Sequence, residues 1–284
     1  ISLIFLILVP VIGIEVKGSK RWIDLYFLPR FQPIELLKPF FIVFVSMIII
    51  LNEKMNIYNR YLYSFLILLL IVVLLVNQPD FGQSLLLISS WITMIFVSGF
   101  NMFILVFLGL VFFGIIISLI YFVPEKFGYI FLRLKSFIDP KSGDNFQSQK
   151  ALDAIKQGGL TGQGMGEGIL KDKVPEAHTD YIVSVISEEF GVITIFLLIL
   201  IFLFFIYKVF KKISIINNNK IKLILLGLSF IIFLQFLIHV GVNIRMFPTT
   251  GMTLPFLSYG GSSIIGTSIL SGIILNLTKK ENIK

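Results

Sequence analysis

The stretch "VPEAHTDYIVSVISEEFGVITIFLLILIFLFFIY", residues 174–207, decides how the chain must be built. From Tyr181 to Tyr207 it is a helix-length apolar run whose only charges are Glu188 and Glu189. A bilayer core of about 30 Å takes roughly 20 such residues as a helix. Runs of similar length recur at 34–51, 61–77, 82–99, 102–123, 221–246 and 261–277, each bounded by charged or polar punctuation. An apolar segment at 1–13 is too short to span unaided. Every amide at bilayer depth must be satisfied internally, and the runs are too long for barrel strands, so the expected architecture is all-α: a polytopic membrane bundle.

Composition agrees. The 284 residues are 56% hydrophobic, include 30 Phe and are only 14% charged, which excludes ordinary soluble folds. Cysteine is absent, so disulfides and thiolate metal sites are excluded. With His178 and His239 as the only histidines, no protein-borne metal site is expected. The chain does not begin with Met and nothing basic precedes residues 1–13, so the opening reads as the inside of a membrane helix rather than a signal peptide.

Lys and Arg favour cytoplasmic loops. The connections 52–60, 208–222 and 278–284 hold ten of them in about thirty residues, against twelve in about ninety for the alternate set. That places the first set inside, and segments 14–33, 124–179 and 247–260 together outside. The net charge of +8 is spread over both faces and signals orientation. No basic-aromatic module stands outside the apolar segments, so nucleic acid is not an expected partner.

Segment 124–179 is long for a connection in a compact bundle, which marks it as functional or disordered. Phe127, Tyr129, Phe131, Leu132, Phe137 and Phe146 argue for an ordered cap with apolar anchors on the outer membrane face. Within it, "SQKALDAIKQGG" (148–159) reads as a short amphipathic helix ended by Gly. "GGLTGQGMGEG" (158–168) matches neither phosphate-loop spacing and follows no strand, so it reads as a hinge or tight turn.

The polar residues at the mouth of the 181–207 run carry the chemistry. Glu176 and Asp180 suit a helix start through the helix dipole. Partial desolvation at that boundary could equally tune Asp180 as a general base. Glu188 and Glu189 lie deeper, where a charge should face the bundle interior and find a partner, with plain helix packing as the equal alternative. Gln235, His239 and Asn243 fall four apart on one helix face and suit interhelical hydrogen bonds or a polar cleft. "RMFPTTGMTLPFLSYGGSSIIG" (245–266) carries too much Pro and Gly for a straight helix. It reads as a broken segment feeding a helix whose N-terminus, with Ser262 and Ser263, could meet an anion. Upstream, Lys20, Arg21, Arg30 and Lys38 gather near Trp22 and Glu35. Glu35 and Lys38 are one turn apart, compatible with a simple pair or with function.

The stretches "GSKRWI" (18–23), "QPIELLK" (32–38), "QPDFGQSLL" (78–86), "DP" (139–140) with "FQSQKALDAIKQGGLTGQGMGEG" (146–168), "PEAHTDYIVSVISEEFG" (175–191) and "PTTGMTLPFLSYGGSS" (248–263) resemble the SEDS family of peptidoglycan glycosyltransferases. The likeness runs through nearly the whole chain and leans towards cell-division rather than elongation members. The resemblance implies a ten-helix fold of which this chain, as one transmembrane domain over 1–284, would supply about eight helices, three to ten. It implies Asp180 as catalytic aspartate. Arg21, Glu35 and Lys38 match family positions tied to activity, and Glu176, His178 and Ser262 are read with them as substrate-binding.

The implied reaction is polymerisation of lipid II into β-1,4 glycan strands with loss of undecaprenyl pyrophosphate, in the bacterial cytoplasmic membrane at the septum. Implied partners are a class B penicillin-binding protein and other division proteins. No cofactor is certain; a divalent cation, Mg or Mn, is a candidate. A lipid II flippase or an elongation polymerase are the alternatives. Ile34 replaces the small residue usual in the family, and Thr250 stands where some division-type members have Lys.

Overall fold

The computed structural model describes residues 1–16, 19–25, 29–51, 55–139 and 146–279. The basic connections expected at 52–60 and 278–284, and the "DP" pair, lie partly outside them. Every expected apolar run is a helix: α2 (Pro33–Leu51), α3 (Ile57–Asn77), α4 (Phe81–Val97), α5 (Met102–Phe122), α8 (Ile182–Ile213), α9 (Asn219–Asn243) and α10 (Gly261–Leu277), preceded by α1 (Ser2–Ile12). Among them α2, α3, α5, α8 and α9 are long and apolar enough to cross a bilayer, while α1, α4 and α10 are shorter apolar helices.

Local chemistry sets the ends. Asn56 caps α3 by accepting from Tyr58 N, and Asp80 caps α4 by accepting from Gln83 N. Pro33 opens α2, where its missing N–H costs nothing. Two strands, β1 (Ile14–Val16) and β2 (Ser19–Trp22), form a small antiparallel ladder that the apolar pattern did not announce.

Segment 124–179 is less a loop than expected. Pro124 starts a second amphipathic helix, α6 (Pro124–Ile138), ahead of the anticipated one, α7 (Phe146–Gly158). Phe131, Leu132 and Phe146 are exposed, as anchors inserted into a membrane surface rather than into the protein would be.

The chain divides into two compact units. The first comprises Ile1–Gly99, Leu203–Gln235 and Tyr259–Lys284. Helix α2 is its hub, packed against α1, α3, α4 and α10. Small residues permit close approach: a Cβ on Gly266 would lie 2.4 Å from the Glu35 carbonyl oxygen, and one on Gly227 would meet Ile42 and Met94.

The second unit comprises Phe100–Phe202 and Phe236–Ser258. Within it α8 is broken at Gly191, where φ is 79° and ψ 170°. The Gly-rich segment repairs the break. Gln163 N and Gly164 N donate to the Glu188 and Glu189 carbonyls, at 2.9 and 3.0 Å, while Val192 N and Ile193 N donate to the Gly159 and Leu160 carbonyls, at 3.0 and 3.3 Å. An interrupted membrane helix must have its freed backbone groups satisfied, and this segment does so. Its tight turn follows from Gly159, Gly162, Gly164 and Gly166, all at positive φ.

The expected partners of the deep acids are now visible. Glu188, fully buried, accepts from Leu170 N at 2.7 Å and Lys171 N at 2.8 Å. Glu189 pairs with Lys171 Nζ at 2.6 Å.

Candidate active site

In the second unit, residues 174–181 form the turn that delivers Asp180 to the mouth of α8. Glu176, with φ 57°, turns the chain so that Thr179 N, Asp180 N and Tyr181 N all converge on its carbonyl at 3.1–3.2 Å. Its carboxylate accepts from Thr179 Oγ1 at 2.8 Å. Glu176 therefore shapes this turn, while His178 is exposed.

Asn243, near the end of α9 and fully buried, fastens the turn from behind. Its Nδ2 donates to the Asp180 carbonyl at 3.0 Å and to the His239 carbonyl at 2.9 Å. Its Oδ1 accepts from Ser184 N and Oγ at 3.1 and 2.8 Å. The polar face expected on α9 is thus an interhelical hydrogen-bonding face.

Asp180 lines a cleft with Tyr181, Arg133, Gln147, Val242 and Thr249–Met252. The 249–252 wall is held from three sides. His239 Nδ1 donates to the Met252 carbonyl at 2.8 Å, which fixes the tautomer, and Arg133 Nη1 donates to the Thr249 carbonyl at 3.1 Å. Ser258 Oγ accepts from Leu254 N and donates to the Thr179 carbonyl, at 2.8 and 2.6 Å, tying the broken segment to the turn. Residues 244–260 are irregular, as their Pro and Gly content required.

Burial first, and then the negative charge of Asp180, hold the Tyr181 phenol well above its ordinary range, with Arg133 pulling the other way. The cleft therefore combines a carboxylate, a guanidinium and a neutral phenol. Such a set can take a proton from a hydroxyl and hold an anion.

The other anticipated residues occupy the first unit and form a chain of contacts. Arg21 donates through Nε to the Gln78 carbonyl at 3.1 Å and through Nη2 to the Pro79 carbonyl, with Nη1 3.8 Å from Asp80. Asp80 accepts from Gln32 Nε2 at 2.9 Å. Gln83 Nε2 donates to Glu35 at 2.6 Å, Glu35 pairs with Lys38 at 2.7 Å, and Lys38 Nζ donates to Gln235 at 2.9 Å. Burial pushes the Asp80 carboxyl above its ordinary range, and Arg21 opposes that push. Glu35 and Lys38 are 2% and 0% exposed, so this is an internal network. Ser262 is also turned inward: its Oγ is buried without a hydrogen-bond partner among the described residues, whereas Gly261 at the helix end is exposed.

Arg133, Gln147, Tyr181 and the 249–252 wall were not anticipated as site residues. Arg133 had a readable signal, a basic residue amid Phe131, Leu132 and Leu134. The wall is held in place through its Thr249 and Met252 carbonyls, which no residue type announces.

Comparison with known proteins places the chain. The family described as "Cell cycle protein", comprising FtsW, RodA and SpoVE, matches residues 1–283. The probable peptidoglycan glycosyltransferase FtsW of Caulobacter vibrioides is 35% identical over 276 residues, covering 97% of this chain and 70% of that protein. The Haemophilus influenzae protein of the same description is 35% identical over 291 residues, covering 99% and 73%. A solved structure described as the structural coordination of polymerization and crosslinking by a peptidoglycan synthase complex is similar with a TM-score of 0.77 and 26% identity, over 98% of this chain and 78% of that one. The rod shape determining protein RodA of Thermus thermophilus is similar with a TM-score of 0.68 and 25% identity, over 100% and 76%.

Proposed function

The chain belongs to the FtsW/RodA/SpoVE family of cell-cycle proteins, and from that premise we propose that it polymerises lipid II at the outer face of the bacterial cytoplasmic membrane, with Asp180 as general base. It is a multi-pass membrane protein and a peptidoglycan glycosyltransferase of the SEDS type. The likeness to FtsW proteins favours septal synthesis over elongation.

The observation that carries the reading is the setting of Asp180: at the mouth of a membrane helix, in a cleft, with its main chain fixed by Asn243. An α-linked diphosphate donor giving a β-1,4 link requires inversion, so a single base suffices. The acceptor sugar's 4-hydroxyl oxygen bonds to the donor's anomeric carbon as its proton passes to Asp180. The bond from that carbon to the diphosphate oxygen breaks, and its electron pair leaves with undecaprenyl diphosphate. General-base assistance is commonly worth about a hundred to ten thousand fold.

Glu35 and Lys38 support this reaction through the fold, as a buried pair, and Arg21 supports it through the 78–80 turn that it holds. Among the described residues no group of three His, Cys, Asp or Glu side chains comes together to hold a metal. A divalent ion would have to be held mainly by the substrate's phosphates, as Mg²⁺ commonly is, and no step is assigned to it. The similarity to a synthase complex that couples polymerization to crosslinking supports a transpeptidase of the class B penicillin-binding type as partner.

The test is purified protein supplied with fluorescent lipid II. Glycan ladders from the wild type, lost in Asp180→Asn while the variant melts normally, are the expected result. Transbilayer movement of lipid II without ladders would replace the reading with that of a flippase.

A further inference from the structure

We infer that Arg133 binds the diphosphate of the lipid donor in the Asp180 cleft, a role that rests on the glycosyltransfer reading and names the ligand for its charged end. Arg21 and Lys38 are the basic residues that the family resemblance ties to activity. The structure commits both elsewhere: Lys38 is sealed from solvent and engaged by Glu35 and Gln235, and Arg21 is engaged by the 78–80 turn. Among the described residues that line the cleft, Arg133 is the one cation.

Its placement suits a lipid diphosphate on three counts. The bond to the Thr249 carbonyl orients the guanidinium against the cleft wall. A guanidinium carries five N–H donors in a planar fork matched to phosphate oxygens. It also stays ionised at any working pH.

The second count is the helix that carries it. On α6, Phe131, Leu132 and Leu134 are exposed at 53%, 64% and 42%, while Arg133 is half-buried and lines the cleft. One short stretch thus offers apolar surface outward for an isoprenoid chain and a cation inward for its headgroup. The third count is charge balance. Asp180 alone would repel a departing diphosphate, and a fixed cation in the same cleft stabilises the charge that develops as the anomeric bond breaks.

The experiment measures binding of farnesyl diphosphate and of farnesol to the purified full chain, alongside lipid II polymerisation. Arg133→Gln, which keeps a donor for Thr249, is expected to weaken farnesyl diphosphate binding about tenfold or more. It should leave farnesol binding unchanged and reduce polymerisation. Arg133→Lys should recover part of the loss. So should a cation restored on the facing wall, as R133Q/T250K, because Thr250 lines the same cleft. Asp180→Asn should bind farnesyl diphosphate at least as well as wild type. Wild-type farnesyl diphosphate affinity in Arg133→Gln overturns the inference, as does equal loss of farnesol and farnesyl diphosphate binding. Failure of the glycosyltransfer reading looks different: Asp180→Asn would then polymerise like wild type whatever the diphosphate result.

Discussion

Lys38 Nζ lies 2.7 Å from Glu35 Oε2 one turn away on α2, with both side chains closed off from solvent. The pair does not stand alone. Gln83 of α4 holds the other Glu35 oxygen and Gln235 of α9 accepts from Lys38, so three helices of one unit meet at a single buried ion pair. In such a place a charge is tolerable only while its partners are present.

Removing one member should therefore cost more than removing both. Lys38→Ala or Glu35→Ala strands an uncompensated buried charge and is expected to cost about 3–5 kcal/mol. Replacing the pair with similar-volume neutral side chains, as E35Q/K38M, should cost distinctly less. Thermal melts of detergent-purified protein check the order. If the double variant melted below both single variants, the pair would be contributing more than mutual neutralisation.

Gly191 supports a second prediction, on the link between backbone and packing. Its φ of 79° disfavours any L side chain, and a Cβ there would lie 2.1 Å from the Leu160 carbonyl oxygen. Gly191→Ala should pull the Gly-rich segment off the break in α8, exposing unpaired backbone groups at both. Limited proteolysis between residues 158 and 171 is the readout, with faster cleavage expected than in wild type. A variant as resistant as wild type would mean that the segment's hold on α8 is not needed.

That break also shows what could be read from residues alone. The apolar runs all became helices, with ends displaced by at most six residues, because bilayer thickness and backbone hydrogen bonding leave little choice. Glu188 and Glu189 were legible as partnered acids because burying them alone is too costly, and the partners proved to be Leu170 N, Lys171 N and Lys171 Nζ. Gly191 was not legible: it sits within an apolar run, and hydropathy carries no information on φ. Helix α6 was hidden by its own charges, which interrupt the apolar run. Yet Phe127, Ile130, Phe131, Leu134 and Ile138 recur at helical spacing. Arg133 is hidden with it, because only the α6 helix brings that residue to the cleft that Asp180 lines.

The Tyr181 phenol predicts a pH effect whose sign can be worked out. Its folded pKa is raised, chiefly by burial, so the folded state favours the neutral form. The stability that Tyr181 contributes is complete below the ordinary phenol value of about 10. It is lost as pH climbs through the higher folded value. Tyr181→Phe cannot ionise. Melting curves from pH 9 to 12 should fall more steeply for wild type than for Tyr181→Phe, the difference isolating this phenol from the other tyrosines. Parallel curves would show that Tyr181 ionises as easily folded as unfolded.

Asn243 offers the sharpest separation of positioning from stability. It bonds Ser184 through Oδ1 and the Asp180 carbonyl through Nδ2. Ser184→Ala removes the hydroxyl side of that arrangement but leaves the amide's bond to Asp180. Asn243→Asp keeps an acceptor for Ser184 and loses the donor to Asp180. Each variant deletes one buried hydrogen bond or more, at about 1–3 kcal/mol each, so both should melt lower than wild type. Only Asn243→Asp frees the main chain of the proposed base. A misplacement of about 1 Å at a reacting group can cost about a hundredfold in rate, so polymerisation by Asn243→Asp should fall far below that of Ser184→Ala at matched fractions folded. Equal activities would mean that the turn formed around the Glu176 carbonyl holds Asp180 by itself.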